Sequence, residues 1–410
     1  MVGPPSNRKD ISLLFATRIV RLFCYGFLSV VLALYLAQLG LTEKLIGLML
    51  TLTLAGDAGI SLWLTTAADR FGRRRTLIVG GLLMLGAGVA FILTRNPILL
   101  ALAAIIGVIS PSGNEIGPFL SVEQASLTIL IPDKRRTQTF AWYALAGSLA
   151  TASGALAGGW LAQGLQASGF SALGAYKVVL AGYSLGGAVL IVLFLLLSPA
   201  VEVRSVNQSG QRLFLGLHRS RAMVMRLSGL FAMDAFAGAL IVQSLLAYWF
   251  HTRYGLDPGL LGSIFFGANI LAGFSALFAA RIAKRFGLIR TMVFTHIPSN
   301  ILLILVPLMP SLPLAIGVLL ARFSISQMDV PTRQSYTMAV VSPDERSAAS
   351  GVTTIARSVG AALSPSLAGL LMAVPALFSF PFFLSGGLKI VYDVLLFVSF
   401  RKIRPPEEKN

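Results

Sequence analysis

Charge is scarce in this chain. Only 12% of its 410 residues are Asp, Glu, Lys or Arg, against about 25% in a soluble domain. Acidic groups are the scarcest: 16 Asp and Glu stand against 33 Lys and Arg, a net charge of +17. With 56% of residues hydrophobic, too few solvated groups remain to cover a folded surface, which excludes a soluble globular class. The single cysteine, Cys24, excludes a disulfide framework and a Cys-based metal site. Three histidines, far apart in sequence, argue against a His cluster. No Gly-rich loop closes on Lys-Ser or Lys-Thr, so an ATP-driven machine lacks its phosphate cradle. No His/Ser/Asp set converges on polar loops, which argues against a membrane enzyme. The start, residues 1–10, is polar and shows no small-residue cleavage site. The apolar run after it is too long for a signal peptide and reads as a first span.

What the chain does contain is a succession of apolar blocks, each about 20 residues or more and long enough to cross a bilayer. About twelve fit. They are organised around Asp69-Arg70-Phe71-Gly72-Arg73-Arg74-Arg75. Four arginines and an aspartate cannot lie in hydrocarbon, so this stretch marks a membrane surface. The pattern returns about half a chain later as Lys284-Arg285-Phe286-Gly287-Leu288-Ile289-Arg290. A second repeat pairs Val122-Glu123-Gln124, ahead of Pro132-Asp133-Lys134-Arg135, with Thr332-Arg333-Gln334, ahead of Pro343-Asp344-Glu345-Arg346. The repeats predict an all-α polytopic membrane protein of about twelve transmembrane helices in two six-helix halves with pseudo-symmetry. The expected boundaries are a first bundle at 1–198, a linker at 199–221, a second bundle at 222–400 and a tail at 401–410. The basic clusters fall on one face, which the positive-inside rule makes cytoplasmic together with both termini. The net positive charge therefore serves orientation rather than nucleic-acid binding.

Ionisable residues inside spans face the protein interior or a water-filled cavity. Asp57, Glu115, Asp234, Arg322 and Asp329 fall in that class. Arg18 and Arg21 share one side of span one at i,i+3 spacing. The segment from Pro111 to Gly117 holds a proline, a serine and two glycines, which predicts a loosened helix around Glu115. Glu115 is thus the first choice for a proton carrier, before Asp234 and Asp57. Asp234 and Arg322 are expected to pair. Glu123 and Arg333 occupy equivalent positions with opposite signs, and a cross-half ion pair between them is expected. Arg357, Lys389 and Asp393, in spans eleven and twelve, read as structural pairs or snorkelling groups. Fixed salt bridges holding a bundle together are the alternative for all of these charges.

The paired basic turns, set between spans two and three and between spans eight and nine, resemble the signature loop of the major facilitator superfamily. The resemblance covers nearly the whole chain. In span five, Gly154-Ala155-Leu156-Ala157-Gly158-Gly159 is similar to a motif of the drug and metabolite antiporter branch. The resemblance implies that spans one, four, seven and ten line a central cavity, which places Arg18, Glu115, Asp234 and Arg322 on it. It implies a cytoplasmic latch at Asp69, Gly72, Arg73 and Arg74, with Glu123 and Arg333 nearer the cytoplasmic ends of spans four and ten. A plain topology anchor is the alternative there. The implied function is secondary active transport, first as proton-coupled export of a small organic compound by antiport. The alternative is a symporter or exchanger of a small organic anion, with Arg18, Arg21 and Arg322 binding a carboxylate or phosphate. A non-transporting receptor or a membrane enzyme is the third class. The expected partners are a small-molecule substrate, protons and the lipid bilayer, with no cofactor, metal or nucleic acid, for a monomer in the cell membrane.

Overall fold

The computed structural model describes residues 6–114, 119–202, 217–342 and 345–401. Its regular elements there are helices: α1 (Ser6–Ser29), α2 (Leu32–Gln38), α3 (Glu43–Phe71), α4 (Arg73–Leu93), α5 (Pro97–Ile106), α6 (Phe119–Leu130), α7 (Asp133–Ala167) and α8 (Ala172–Leu195). After a gap in the described residues come α9 (Arg221–Ala239), α10 (Gln243–Tyr254), α11 (Pro258–Phe286), α12 (Leu288–Leu305), α13 (Leu312–Phe323), α14 (Asp329–Val340), α15 (Arg346–Met372) and α16 (Phe380–Phe400). Among the described residues, nine helical stretches are long and apolar enough to cross a membrane. Three more, α5, α6 and α13, are apolar but shorter. Hydrocarbon offers no partner to a backbone N–H or C=O, so a spanning chain must satisfy both within helices. The chain is an all-α polytopic membrane protein.

Four apolar runs are interrupted. The breaks separate α1 from α2, α5 from α6, α9 from α10 and α13 from α14. In order along the chain these are the first, fourth, seventh and tenth runs. A break frees carbonyls, which then need donors. Around the α5–α6 break the donors are visible. Tyr183 gives its hydroxyl to the carbonyl of Val108, and Ser110 Oγ donates to that of Asn114 at 2.8 Å. Thr151 Oγ1 donates to the Gly113 carbonyl at 3.3 Å. Ser244 supplies its backbone N–H, at 3.0 Å, and its hydroxyl to the Pro111 carbonyl. The loosened helix expected around Pro111 is present, while Glu115 itself lies outside the described residues.

Contacts divide the chain into two compact units. The first holds residues 1–207 and 243–266; the second holds 208–242 and 267–410. In the first unit α1 and α7 meet backbone to backbone. A Cβ at Gly154 would lie 2.0 Å from the Phe23 carbonyl oxygen, and one at Gly158 would lie 2.1 Å from that of Phe27. Small residues permit this approach, as in membrane helix pairs generally. The segment 243–266 joins this unit through Gln243 Nε2, which donates to Ser29 Oγ at 2.7 Å, and Trp160 Nε1, which donates to Ser263 Oγ at 3.0 Å. In the second unit α15 lies equally close to α9, where a Cβ at Gly360 would come 2.2 Å from the Ala232 oxygen. A buried apolar cluster that includes Leu227, Phe231, Met292, Tyr336, Tyr392 and Leu396 fills its centre.

The two basic turns are one-residue joints. Gly72, at φ +96°, separates α3 from α4, and Gly287, at φ +85°, separates α11 from α12. A side chain in that left-handed region costs about 1–2 kcal/mol, which accounts for glycine at both joints.

Candidate functional site

The second unit holds a largely buried network of ionisable groups drawn from six helices. Asp234, on α9, is its hub. Lys389 of α16 approaches Asp234 Oδ1 at 2.6 Å. Arg333 of α14 and Arg357 of α15 donate to Oδ2 at 3.1 and 3.2 Å. Arg333 also reaches Asp329, one turn earlier on its own helix, at 2.8 Å. His296 of α12 stands with Nε2 4.0 Å from Asp234 Oδ1. Its Nδ1 lies 2.9 Å from Asp393 Oδ1, and Asn300 Nδ2 donates to Asp393 Oδ2 at 3.1 Å. Asp234, Asp329, Arg333, Lys389, His296 and Asp393 are all buried. The Arg357 side chain, 34% exposed, forms the accessible rim. Arg322, at the end of α13, interacts electrostatically with Asp329, and its Nε is buried without a hydrogen-bond partner. Four permanent cations thus face three carboxylates.

The first unit buries a smaller cluster. Glu123 of α6 receives a two-pronged contact from Arg21 of α1, at 2.7 and 2.8 Å. Thr17 Oγ1 donates to it at 2.8 Å, and the Tyr143 hydroxyl of α7 completes the set. Neither Arg21 nor Glu123 is accessible at all. Arg18 lies over the Tyr143 ring, 4.3 Å from its centre, and Arg21 over Phe119 at 4.6 Å. Two guanidiniums face one carboxylate. Asp57 stands apart on α3, half-buried, and accepts from Ser61 Oγ at 3.2 Å.

Two further carboxylates cap helix starts. Glu202 accepts from the backbone N–H of Arg73 at 2.7 Å and of Arg74 at 3.1 Å, at the first turn of α4. An anion there meets unpaired N–H groups and the positive end of the helix dipole. Arg74 Nε donates onward to the Phe194 carbonyl at 3.1 Å. The side chain of Asp69 lies outside the described residues. Glu345 does the same work ahead of α9. It accepts from the backbone N–H groups of His218, of Arg219 at 2.9 Å and of Ser220 at 2.8 Å. Burial pushes the Glu345 carboxyl up, but the Ser220 hydroxyl and the three N–H donors outweigh it and hold the group at about 2.

The structure regroups the expected residues. Asp234 pairs with Lys389, Arg333 and Arg357 rather than with Arg322. The turn at 324–328 ends α13 just after Arg322 and restarts the helix at Asp329, which delivers Arg333 to Asp234. Glu123 and Arg333 do not form a cross-half pair. Each finds its counter-charge inside its own unit. Sequence reasoning passed over His296, Asn300, Tyr143 and Glu202; it read Arg357, Lys389 and Asp393 as structural pairs or snorkelling groups, and the pairing half of that reading is what the structure shows. A signal was present: His296/Asn300 and Lys389/Asp393 are both i,i+4 polar pairs, each on one helix face.

A bundle of apolar helices with four interrupted runs and buried charge networks defines a polytopic membrane protein built to hold polar groups inside the bilayer. The chain belongs to the Major Facilitator Superfamily, which it matches over residues 14–365. It is therefore a membrane transporter of that superfamily and not an enzyme. It is 32% identical to the uncharacterized membrane protein YJR124C of Saccharomyces cerevisiae, over 95% of this chain and 93% of that one. Among solved structures it resembles a bacterial homolog of the human lysosomal transporter Spinster, with a TM-score of 0.74 at 17% identity over 98% of both chains. It also resembles the D-xylose-proton symporter, with a TM-score of 0.75 at 15% identity over 98% of this chain and 99% of that one. The human organic anion transporter MFSD10 gives 0.67 at 16% identity over 96% and 100%.

Proposed function

We propose that the chain carries a small organic anion, by symport or exchange. The reading rests on charge. Each of the two clusters holds one more permanent cation than carboxylates: Arg18 and Arg21 around Glu123, and Arg322, Arg333, Lys389 and the rim residue Arg357 around Asp234, Asp329 and Asp393. Holding an excess of like charge away from water is expensive. An anionic substrate would lower that cost while bound, and Arg357, at the exposed rim, is the group that would meet it first. The four interrupted runs support a cavity, because irregular backbone at membrane depth is tolerated where protein or water surrounds it. These are the first, fourth, seventh and tenth runs, the ones expected to line it. The organic anion transporter among the structural relatives is in keeping with this reading. Proton-coupled export of a cationic compound would call for a surplus of acid in these clusters, and they hold a surplus of cations.

Within this proposal the twelve spans form two six-helix halves, the basic turns and both termini face the cytoplasm, and the Gly72 turn with Asp69 and Glu202 acts as a latch between states. Purified protein in liposomes, preloaded with unlabelled mono-, di- or tricarboxylates, should concentrate the same labelled carboxylate by counterflow. Counterflow of organic cations or neutral sugars, with none for any carboxylate, would overturn the assignment.

A further inference from the structure

We infer that the exchangeable proton of this protein sits on the buried His296–Asp393 pair, between α12 and α16, and not on an isolated carboxylate. Asp234 is held by Lys389, Arg333 and Arg357, and Asp329 by Arg333. Both have permanent cations in contact. Asp393 has none. Its two oxygens take His296 Nδ1 at 2.9 Å and Asn300 Nδ2 at 3.1 Å, groups that carry no fixed charge. Lys389, one turn earlier on the same helix, directs its Nζ to Asp234 instead. Among the described residues, Asp393 is thus the carboxylate of the network with no permanent cation in contact; Lys389 acts on it only from a distance, and a proton is the charge that can reach it directly.

The geometry also says where that proton goes. An ionised Asp393 accepts only, so His296 must donate through Nδ1–H, which leaves the lone pair on Nε2. That lone pair stands 4.0 Å from Asp234 Oδ1, an unfavourable opposition. A proton taken from water onto Nε2 turns it into an N–H directed at Asp234, and the ring becomes an imidazolium between two carboxylates. The His296–Asp393 pair goes from one negative charge to none. Asp234 then has a fourth cation beside it, and its hold on Lys389 and on the rim residue Arg357 is shared. Positive charge at Arg357 becomes available to an anion. Proton uptake and anion binding would therefore favour each other, which is symport of the two. This coupling rests on the organic-anion reading above; the proton site does not.

The surroundings of the ring offer no competing assignment among the described residues. From α16 it meets Asp393 and Tyr392, whose ring lies edge-on at 6.0 Å, while Lys389 of the same helix is engaged with Asp234. From α9 it meets Asp234; from α14, Asp329 and Arg333 stand behind Asp234, as does Arg357 of α15. The charge on α13 is Arg322, engaged with Asp329. On α12 itself the other charge is Arg290, in the first turn at the far end of the helix.

Histidine nitrogen resonances report protonation and tautomer directly. The chain has two other histidines, His218 and His251, and His218→Asn with His251→Asn leaves His296 as the sole ring in the full-length protein. Nitrogen-15 spectra of this variant in detergent would be followed between about pH 5 and pH 9, the range over which histidine changes charge. The expected result is a ring protonated on Nδ1 alone at the alkaline end and on both nitrogens at the acid end. Asp393→Asn in the same background should abolish the preference for Nδ1–H. A ring that keeps one state throughout would overturn the proton site, and so would an alkaline form protonated on Nε2. The measurement needs no substrate, so its failure is distinct from a failure of carboxylate counterflow. With counterflow established, an inward proton gradient should raise carboxylate accumulation in wild type by roughly tenfold per unit of pH for one coupled proton. Accumulation that ignores the gradient while the ring titrates would overturn the coupling.

Discussion

Replacing Asp234 tests the network at its hub. Asp234→Asn keeps the shape and removes the charge. Three cations lose their shared partner, but not equally. Arg333 retains Asp329 at 2.8 Å. Arg357, 34% exposed, can recover hydration. Lys389, whose side chain is 9% exposed, can do neither, so the loss concentrates there. One stranded buried charge costs about 3–5 kcal/mol. Lys389→Met should be milder, because Asp234 then still has two guanidiniums. The double variant removes the stranded charge and should be more stable than Asp234→Asn alone, with a coupling of about 0.5–3 kcal/mol. Equilibrium unfolding of purified protein in mixed micelles, run for all four members of the cycle, measures this. If the double variant loses the sum of the two single losses, or if Asp234→Asn loses less than about 1 kcal/mol, the hub assignment fails.

Glu123→Gln should cost about 3–5 kcal/mol, because it strands Arg21, which has no access to water; the same unfolding assay reads it, and a loss near zero would show that the pair is not neutralising. Gly154→Val should prevent close packing of α1 on α7, since its Cβ would sit 2.0 Å from the Phe23 oxygen. Overpacking usually costs about 1–3 kcal/mol and more where backbone must move; a monodisperse variant of unchanged stability would contradict the contact. Glu345 sits at about 2, below its ordinary 4.5. A carboxyl lowered on folding stabilises at pH above 4.5, and that contribution fades as pH falls from there toward 2. Glu345→Gln should therefore flatten the acid limb of a stability–pH profile in that window and leave the shape above it unchanged, as followed by thermal unfolding; an unaltered acid limb would rule the cap out as its source.

How far the sequence could be read depended on the range of the interaction. The spans were legible because hydrocarbon imposes one rule on every residue of a segment: apolar side chains and an internally satisfied backbone. The glycine joints were legible because a turn between two spans leaves few backbone choices. The break near Pro111 was legible from four weak helix formers in seven residues. Partner choice was not legible. Asp234 lies far in sequence from Arg333, Arg357 and Lys389, and nothing local says which cation arrives. Lys389 stayed undecided for a physical reason: a lysine near mid-span can snorkel or pair, and only the facing helix decides, here in favour of a pair with Asp234. His296 carried the faintest signal, a lone histidine amid apolar residues beside Pro298. Its role shows once Asp393 and Asp234 stand on either side of it.

The sign reversal between Glu123 and Arg333 has a better explanation than attraction between them. Arg21 on α1 binds Glu123 on α6; Asp234 on α9 binds Arg333 on α14. By the sequence repeat, the first run corresponds to the seventh and the fourth to the tenth. Both units therefore bridge the same pair of runs with a buried ion pair, one with the cation on the leading run and one with the anion there. Neutralising a buried charge inside its own unit has a clear advantage. Glu123 and Asp234 each find a counter-charge as their own unit folds, and a pair confined to one unit need not be broken when the units move. A cross-unit pair would add its full rupture cost, several kcal/mol when buried, to every cycle. Reversing the polarity of one bridge also changes what surrounds it. In the first unit the central anion is enclosed by Arg21, Thr17 and Tyr143 and has no access to water. In the second, Asp234 collects cations from three helices, with a histidine and a second acid behind it. The first arrangement suits a permanent brace. The second includes a histidine that can take up a proton, and on the proposal above that asymmetry would put coupling in the second unit.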